Sequence, residues 1–417
     1  MTYVPFLIII IISILLILLY VIILNKSEKY ETVKLMSDIE NVPTISLTEK
    51  SPNNILNKVI FGGKKKVDFE IKSNPDNFKL KIANYSDYLF SGKGLVIAAN
   101  GIRYRYITGL YSNLFVIRNY LKSNIPIEIF YVGKEEEFSP EIYKLINDLG
   151  NIKIVNLLDR INTNVPINEL KGYQTKPLAV LCSSFEDVVL LDADALCFID
   201  PANLFSADGF ESGMILFRDY VNCTNFISKD FLEYIGIGKD RYCSKTDNYE
   251  IDSSCVVLNK KKCWETLYTI CIINVKSDSY HKSKNVLGDK DTWIIACMLL
   301  NSIDPYIAPP KPEIFVKNNK VILGHLQATN FSNKKVYTHY NNQMIDLLSI
   351  EPESLTITEV KNPSVKNTVI YNSYEVPENI LFAFNFAKQG LKQIIPLIPK
   401  HMIPTTFNNG VSKGLIP

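Results

Sequence analysis

Asp187-Val188-Val189-Leu190-Leu191-Asp192-Ala193-Asp194 is the stretch that decides how the chain is read. Four consecutive apolar residues leave no polar face, the pattern of a strand buried on both sides of a sheet. Two carboxylates close it. Residues two apart in an extended chain point the same way, so Asp192 and Asp194 can face one cavity. Two negative charges held together repel unless a cation lies between them. Hard oxygen ligands suit Mg²⁺ or Mn²⁺, which also bind diphosphate oxygens. A bare Asp-x-Asp is often only a solvated turn. The buried run before it, with Phe198-Ile199-Asp200-Pro201 and Leu204-Phe205 after it, favours a metal site.

Upstream, Gly94–Ala99 is a short apolar run ending in Asn100-Gly101, a second buried strand and its turn. A helix pattern follows over about Tyr106–Lys122, then a strand at Ile127–Val132, a helix at about Pro140–Leu149 and a strand at Ile152–Val155. This β-α-β-α-β alternation predicts an α/β fold with a mainly parallel sheet and helices on both faces. Ligands bind such sheets at the carboxyl ends of the strands, so Asn100 and Arg103 are candidate donor-binding residues. The turn is not a GxGxxG and no GxxxxGK[ST] is present, so hydride transfer and P-loop chemistry have no support.

The other candidates lie downstream of Lys176, which precedes the helix leading to the Asp-x-Asp strand and can neutralise diphosphate charge. Asp252 and Ser253 follow a bend and are placed on the acceptor side. Gly288-Asp289-Lys290-Asp291 is a turn before the helix Thr292–Leu300. Asp289 and Asp291 are candidate catalytic carboxylates, Asp291 having the alternative role of helix cap. Lys290 is a candidate for the sugar or phosphates. His325 follows a predicted strand, Lys320–Leu323, and would add an imidazole to the metal site. Gln327 shares a strand face with His325 and competes for the donor. Arg118, on the first helix, is structural or reaches the nucleotide.

The 417 residues are 47% hydrophobic and 21% charged, which excludes a disordered chain. Lys plus Arg number 45 against 43 acidic residues, a balance with no footprint for nucleic acid. The 8 cysteines contain no CxxC and permit disulfides without specifying them. Residues 1–25 read as a retained transmembrane anchor, because Phe6–Leu24 is almost wholly Ile, Leu, Val and Phe without charge. Lys26, Lys29 and Lys34 after it would place the bulk of the chain in the cytosol by the positive-inside rule. Sequons at Asn84, Asn222 and Asn330 suit a lumenal domain instead. Residues 26–90 read as a polar stem with a short edge element near Lys66–Lys72, 91–345 as the catalytic domain, and 346–417 as an extension. In the extension, apolar Ile380–Ile398 docks on the domain or lies on a membrane surface.

Tyr173–Phe205, reading YQTKPLAVLCSSFEDVVLLDADALCFIDPANLF, resembles the core of the fungal-type α-mannosyltransferases of glycosyltransferase family 71. Gly94–Asn100, Asn113–Tyr120, Ile125–Ile129, Glu250–Lys260 and Gly288–Thr292 are similar to the family's other segments, in the same order. The match spans about Gly94–Phe331. Ser253-Ser254 stands where the family has Ser-Gly. The resemblance implies a GT-A fold, a single-pass type II Golgi protein with a lumenal catalytic domain, GDP-mannose as donor, a glycan acceptor and retention of configuration. Two alternatives stay open. One is a glycogenin-like glucosyl- or galactosyltransferase using a UDP-sugar. The other is an inactive lectin-like or structural membrane glycoprotein on a transferase fold.

Overall fold

The computed structural model describes residues 66–69, 84–275, 285–308, 313–317, 320–328, 335–339, 344–361 and 369–403. The residues from Tyr85 onward, with the 66–69 segment, belong to one compact unit. The expected anchor and most of the expected stem lie outside the described residues. Among the described residues no helix is long and apolar enough to cross a membrane.

In chain order the elements are β1 (Val67–Phe69), β2 (Lys93–Ala98), α1 (Tyr104–Phe115), β3 (Ile127–Tyr131), α2 (Pro140–Asn147), β4 (Ile152–Asn156), β5 (Ile161–Thr163) and α3 (Thr175–Cys182). Then come β6 (Asp187–Asp192), β7 (Ala195–Cys197), β8 (Met214–Asn222), α4 (Lys229–Tyr234), α5 (Lys239–Lys245), β9 (Tyr249–Asn259), α6 (Lys260–Val275) and α7 (Thr292–Leu300). The last are β10 (Tyr306–Ile307), β11 (Glu313–Lys317), β12 (Lys320–Ala328), β13 (Lys335–His339), β14 (Thr356–Lys361), β15 (Val369–Glu375) and α8 (Glu378–Ile394).

The main sheet has seven strands in the order β10-β8-β9-β6-β2-β3-β4. All of its neighbouring pairs are parallel except the two that β9 makes, with β6 and β8. Val188, Val189 and Leu190 at its centre are fully buried, as a strand with no polar face requires. The second half of β9 pairs with β6, Leu191 lying opposite Cys255. Its first half therefore runs on past the carboxyl end of β6, carrying Glu250, Asp252 and Ser253 beside the Asp-x-Asp turn.

A second, antiparallel sheet of six strands, in the order β15-β14-β11-β12-β13-β7, begins where the first ends. The chain leaves the main sheet at Asp192 and enters β7 at Ala195, so the Asp-x-Asp turn is the junction of the two sheets. β7 pairs with β13, bringing His339 opposite Ala195.

Helix α1 crosses this junction at Gly109, where a Cβ would meet the Ala193 carbonyl oxygen at 2.8 Å and Asp194 Cα at 3.2 Å. Glycine is the residue that permits this approach. On its other side α1 meets α8, where a Cβ on Gly390 would lie 3.2 Å from Ser112 Cα. Phe384 of α8 is fully buried, its ring 5.8 Å from that of Phe198 and 5.4 Å from that of Phe315. Of the two readings of the C-terminal apolar segment, docking is the one observed.

The packed unit reaches further toward the N-terminus than the expected boundary. β1 pairs with β5, within the expected edge element. Tyr85 and Phe90 pack with Trp264 of α6 at ring distances of 5.5 and 5.4 Å. A disulfide joins Cys223 to Cys243 and closes the segment that carries α4 and α5.

Candidate active site

Helix α3 delivers Lys176 in its first turn to the carboxyl end of β6. The Lys176 ammonium donates to Asp192 Oδ1 at 2.9 Å, Asp289 Oδ1 at 3.0 Å and Ser253 Oγ at 3.0 Å. One cation thus joins the Asp-x-Asp motif, the turn before α7 and β9. Asp289 is held from its other oxygen by the Trp293 indole N–H at 3.0 Å. That contact ties the turn before α7 to the first turn of the helix.

Asp194 is buried, and its Oδ2 accepts from the Arg105 guanidinium at 2.7 Å. Arg105 stands on α1 one turn before Gly109, so the backbone approach at that glycine sets its reach. Its side chain remains 43% exposed.

The histidine at the two carboxylates is His339. Its Nε2 lies 3.7 Å from Asp194 Oδ1 and 3.9 Å from Asp192 Oδ2. One ligand atom from each of Asp192, Asp194 and His339 falls within 4.8 Å of the others. Two carboxylate oxygens and an imidazole nitrogen form a donor set that fits Mn²⁺, or Mg²⁺ less closely because of the nitrogen. The other ring nitrogen, Nδ1, faces Asp252 Oδ1 at 3.3 Å. Asp252 is fixed in turn by the Ser254 amide at 3.0 Å, the Ser254 hydroxyl at 2.6 Å and the Tyr337 hydroxyl at 3.1 Å. A carboxylate behind a metal-facing imidazole fixes its orientation and raises its basicity. Tyr337 and His339, two apart on β13, reach the same carboxylate because alternate residues share a face.

The protonation of the cluster follows from these distances. Burial, with the adjacent Asp194 charge, pushes Asp192 up to about 6 against the opposing pull of Lys176 and His339. Burial disfavours the charged His339 ring, but Asp252, Asp194 and Asp192 outweigh it and raise it to about 9. Lys176 is likewise held charged well above the ordinary lysine value, Asp192 and Asp289 overcoming its burial.

A second charged cluster adjoins the first. Lys290 donates to Asp219 Oδ2 at 2.7 Å and Glu250 Oε2 at 2.5 Å, with Phe226 4.9 Å from its ammonium. Glu250 also accepts from the Phe226 amide at 2.5 Å. Asp291 is fully buried; its Oδ1 accepts from the Ile251 amide at 3.0 Å and from the Tyr242 hydroxyl. Burial, with the neighbouring Glu250, pushes Asp291 up to about 7. The structure corrects the reading of Asp291 as a carboxylate open to an acceptor. It is neither that nor a side-chain helix cap, but an interior node tying α7 to β9 and α5. Lys290, expected at the sugar or phosphates, pairs here with Asp219 and Glu250.

The remaining expectations fall as follows. Asn100 lies two residues past the end of β2, with its Oδ1 buried and without a hydrogen-bond partner among the described residues. Arg103 is exposed at the start of α1, 5.9 Å from the Tyr106 ring. Arg118 is structural: it donates to the carbonyls of Ser123, Ile125, Gly150 and Asn151. His325 and Gln327 belong to β12, opposite Ile314 and Tyr337 respectively, and their side chains lie outside the described residues. Sequence reasoning missed Arg105 and His339. For His339 a signal existed, since Val336-Tyr337-Thr338 is a β-branched and aromatic run that ends at this histidine. Arg105 carried none, because only the packing of α1 aims it.

The mannosyltransferase family model Mannosyl_trans3 matches residues 92–346, well over half of the chain. An α-1,2-mannosyltransferase of Candida albicans, MNN21, is 32% identical over 32% of this chain and 21% of its own length. An α-1,3-mannosyltransferase of Saccharomyces cerevisiae, MNT3, is 25% identical over 36% of this chain and 24% of its own. The matches thus span about a fifth to a quarter of these relatives. Among solved structures, the S. cerevisiae mannosyltransferase Ktr4p aligns over 66% of this chain and 83% of its own, at 11% identity and a TM-score of 0.34. By the family match, which covers both carboxylates, the lysine and the histidine of the site, this chain belongs to the Mannosyl_trans3 family of mannosyltransferases.

Proposed function

We propose that this chain is a metal-dependent, GT-A-type α-mannosyltransferase that moves mannose from GDP-mannose to a glycan hydroxyl with retention of configuration. The observation that carries the reading is the Asp192, Asp194 and His339 cluster at the junction of the two sheets, with Lys176 bonded into it. Family membership supports mannose as the sugar. A divalent cation, when bound there, supplies Lewis-acid stabilisation of the departing nucleoside diphosphate. Lys176 adds a positive charge at the same end of the sheet and holds Asp289 in place. Asp252 keeps the His339 ring turned toward the carboxylates. Arg105 is exposed enough to leave Asp194 and meet a diphosphate oxygen. The set of charged groups is intact, which speaks against an inactive glycoprotein.

The same reading places the protein as a type II Golgi membrane protein with a lumenal domain. The Cys223–Cys243 disulfide supports an oxidising compartment. Asn84 and Asn222 of two sequons are exposed, which suits glycosylation there. Protease digestion of the domain in intact microsomes would refute this placement. For the activity, the purified domain is assayed with Mn²⁺ against a panel of nucleotide-sugars. GDP-mannose should be consumed in preference to UDP-glucose or UDP-galactose, and the opposite order would move the assignment to a glycogenin-like enzyme.

A further inference from the structure

Three exposed apolar side chains stand around the Gly288–Lys290 turn, in a region otherwise rich in carboxylates. Tyr173 is 60% exposed, Leu287 49% and Phe226 37%. Tyr173 lies three residues before Lys176, at the foot of the helix that delivers that lysine. One side of its ring packs on the backbone of Gly288, where a Cβ would come within 3.2 Å of the ring. Gly288 is the neighbour of Asp289, which Lys176 also holds. Tyr173 is also close enough to Arg105 to act on its charge, and Arg105 pairs with Asp194. The ring therefore stands at the rim of the site, between the Asp289 turn and Arg105, with its remaining surface open to solvent.

An aromatic face beside carboxylates matches a pyranose, which offers an apolar C–H face and a hydroxyl edge. We propose that Tyr173 is the stacking platform of the acceptor subsite and binds a hexose unit of the acceptor, with Leu287 extending the apolar lip. The proposal rests on the transferase reading above. The acceptor is chosen over the donor because the ring is 60% exposed, whereas the Lys176 and Asp194 side chains are 12% and 6% exposed.

The test measures binding of methyl α-mannoside to the full chain with GDP and Mn²⁺ present, by saturation-transfer NMR. Wild type and Tyr173→Phe should bind alike, because the ring is kept. Tyr173→Ala should bind about tenfold more weakly, by loss of a stacked contact. GDP binding and the slow hydrolysis of GDP-mannose by water should be unchanged in all three. Binding of the glycoside by Tyr173→Ala at the wild-type level, or none by wild type, overturns the proposal. Weakened GDP binding or hydrolysis in Tyr173→Ala also overturns it, by making the ring part of the donor site. Failure of wild type to bind GDP or hydrolyse the donor is a separate result and rejects the transferase reading itself.

Discussion

Asp194 is the residue whose loss should be felt most. It is buried, it faces His339, and Arg105 is its cationic partner in the unliganded site. On the proposed reading, removing its charge weakens the hold on the cation that compensates the diphosphate, a type of loss worth roughly 3–4 kcal/mol, or about 10²–10³ in rate. Asp194→Asn should therefore lose nearly all turnover while its circular dichroism stays that of wild type. His339→Ala should lose less and be partly restored by excess Mn²⁺. If Asp194→Asn keeps more than about a tenth of the activity, far above that expected loss, the cation does not sit there. A second residue makes a prediction about stability. Lys260 is wholly buried, donates to the carbonyls of Ser183 at 2.6 Å and Leu181 at 3.4 Å, and so caps the end of α3. Burial lowers it from 10.5 to about 7. Between those values the unfolded chain holds a proton that the folded chain does not, so this residue adds stability as pH rises through that window. The charged form costs most below about 7, and the cost is gone above 10.5. The melting temperature of wild type minus that of Lys260→Met should accordingly climb from pH 7 to pH 10, and a flat difference would contradict the assignment. At this scale the Asp-x-Asp pair and Lys176 were legible, because strand alternation and charge suffice to place them. His325 was expected because it follows an apolar run and a glycine, and His339 was not weighed. β12 runs on through Gly324, and the pairing of β13 with β7 is what brings His339 to the carboxylates.

The elements that build the first sheet were readable because their apolar runs are short, continuous and punctuated by turns. β2, β3, β4 and β6 and the helices between them fall within a few residues of expectation, α1 continuing as a π-helical stretch over Val116–Tyr120. The long antiparallel β9 was not foreseen, since its first half carries Glu250, Asp252 and Ser253, buried charged and polar residues that hide a strand pattern. Most of the second sheet was missed for a related reason. The stretch after residue 340 is polar and poorly periodic, yet it holds β14 and β15, which pair with each other, with Ile357 of β14 buried in the core. Helix α1 makes the clearest prediction at this scale. Gly109 allows its backbone to touch the Asp-x-Asp turn, so Gly109→Ala should displace that turn although alanine favours a helix. Inserting a methyl group into a packed contact commonly costs about 1–3 kcal/mol. The variant should melt earlier and bind Mn²⁺ more weakly, whereas Gly150→Ala, with open space around its Cβ position, should leave Mn²⁺ affinity unchanged. Equal Mn²⁺ affinities in the two variants would show that the helix does not set the turn.

Across the whole molecule the site draws on both sheets, with β6 supplying Asp192, the junction Asp194 and β13 His339. A ligand that bridges them should stabilise the entire unit. At a concentration of about 100 Kd the gain is roughly 2.7 kcal/mol. For a unit of this size that is a rise of about 4 °C in Tm, read by calorimetry with GDP and Mn²⁺. Asp194→Asn should show little of this rise, and an undiminished rise would place the ligand elsewhere. The junction also has a consequence for the order of events on the ribosome. Arg105 and Lys176 are synthesised before the carboxylates they meet, so each aspartate emerges with a cationic partner already made. His339 emerges long after both. A nascent chain halted before β13 can form the strands of the first sheet and its internal ion pairs, yet it lacks the third metal ligand. On the proposed reading, the ability to hold an ion arrives only when translation of residues 92–346 is almost complete, and ribosome-bound intermediates should stay inert to manganese until then.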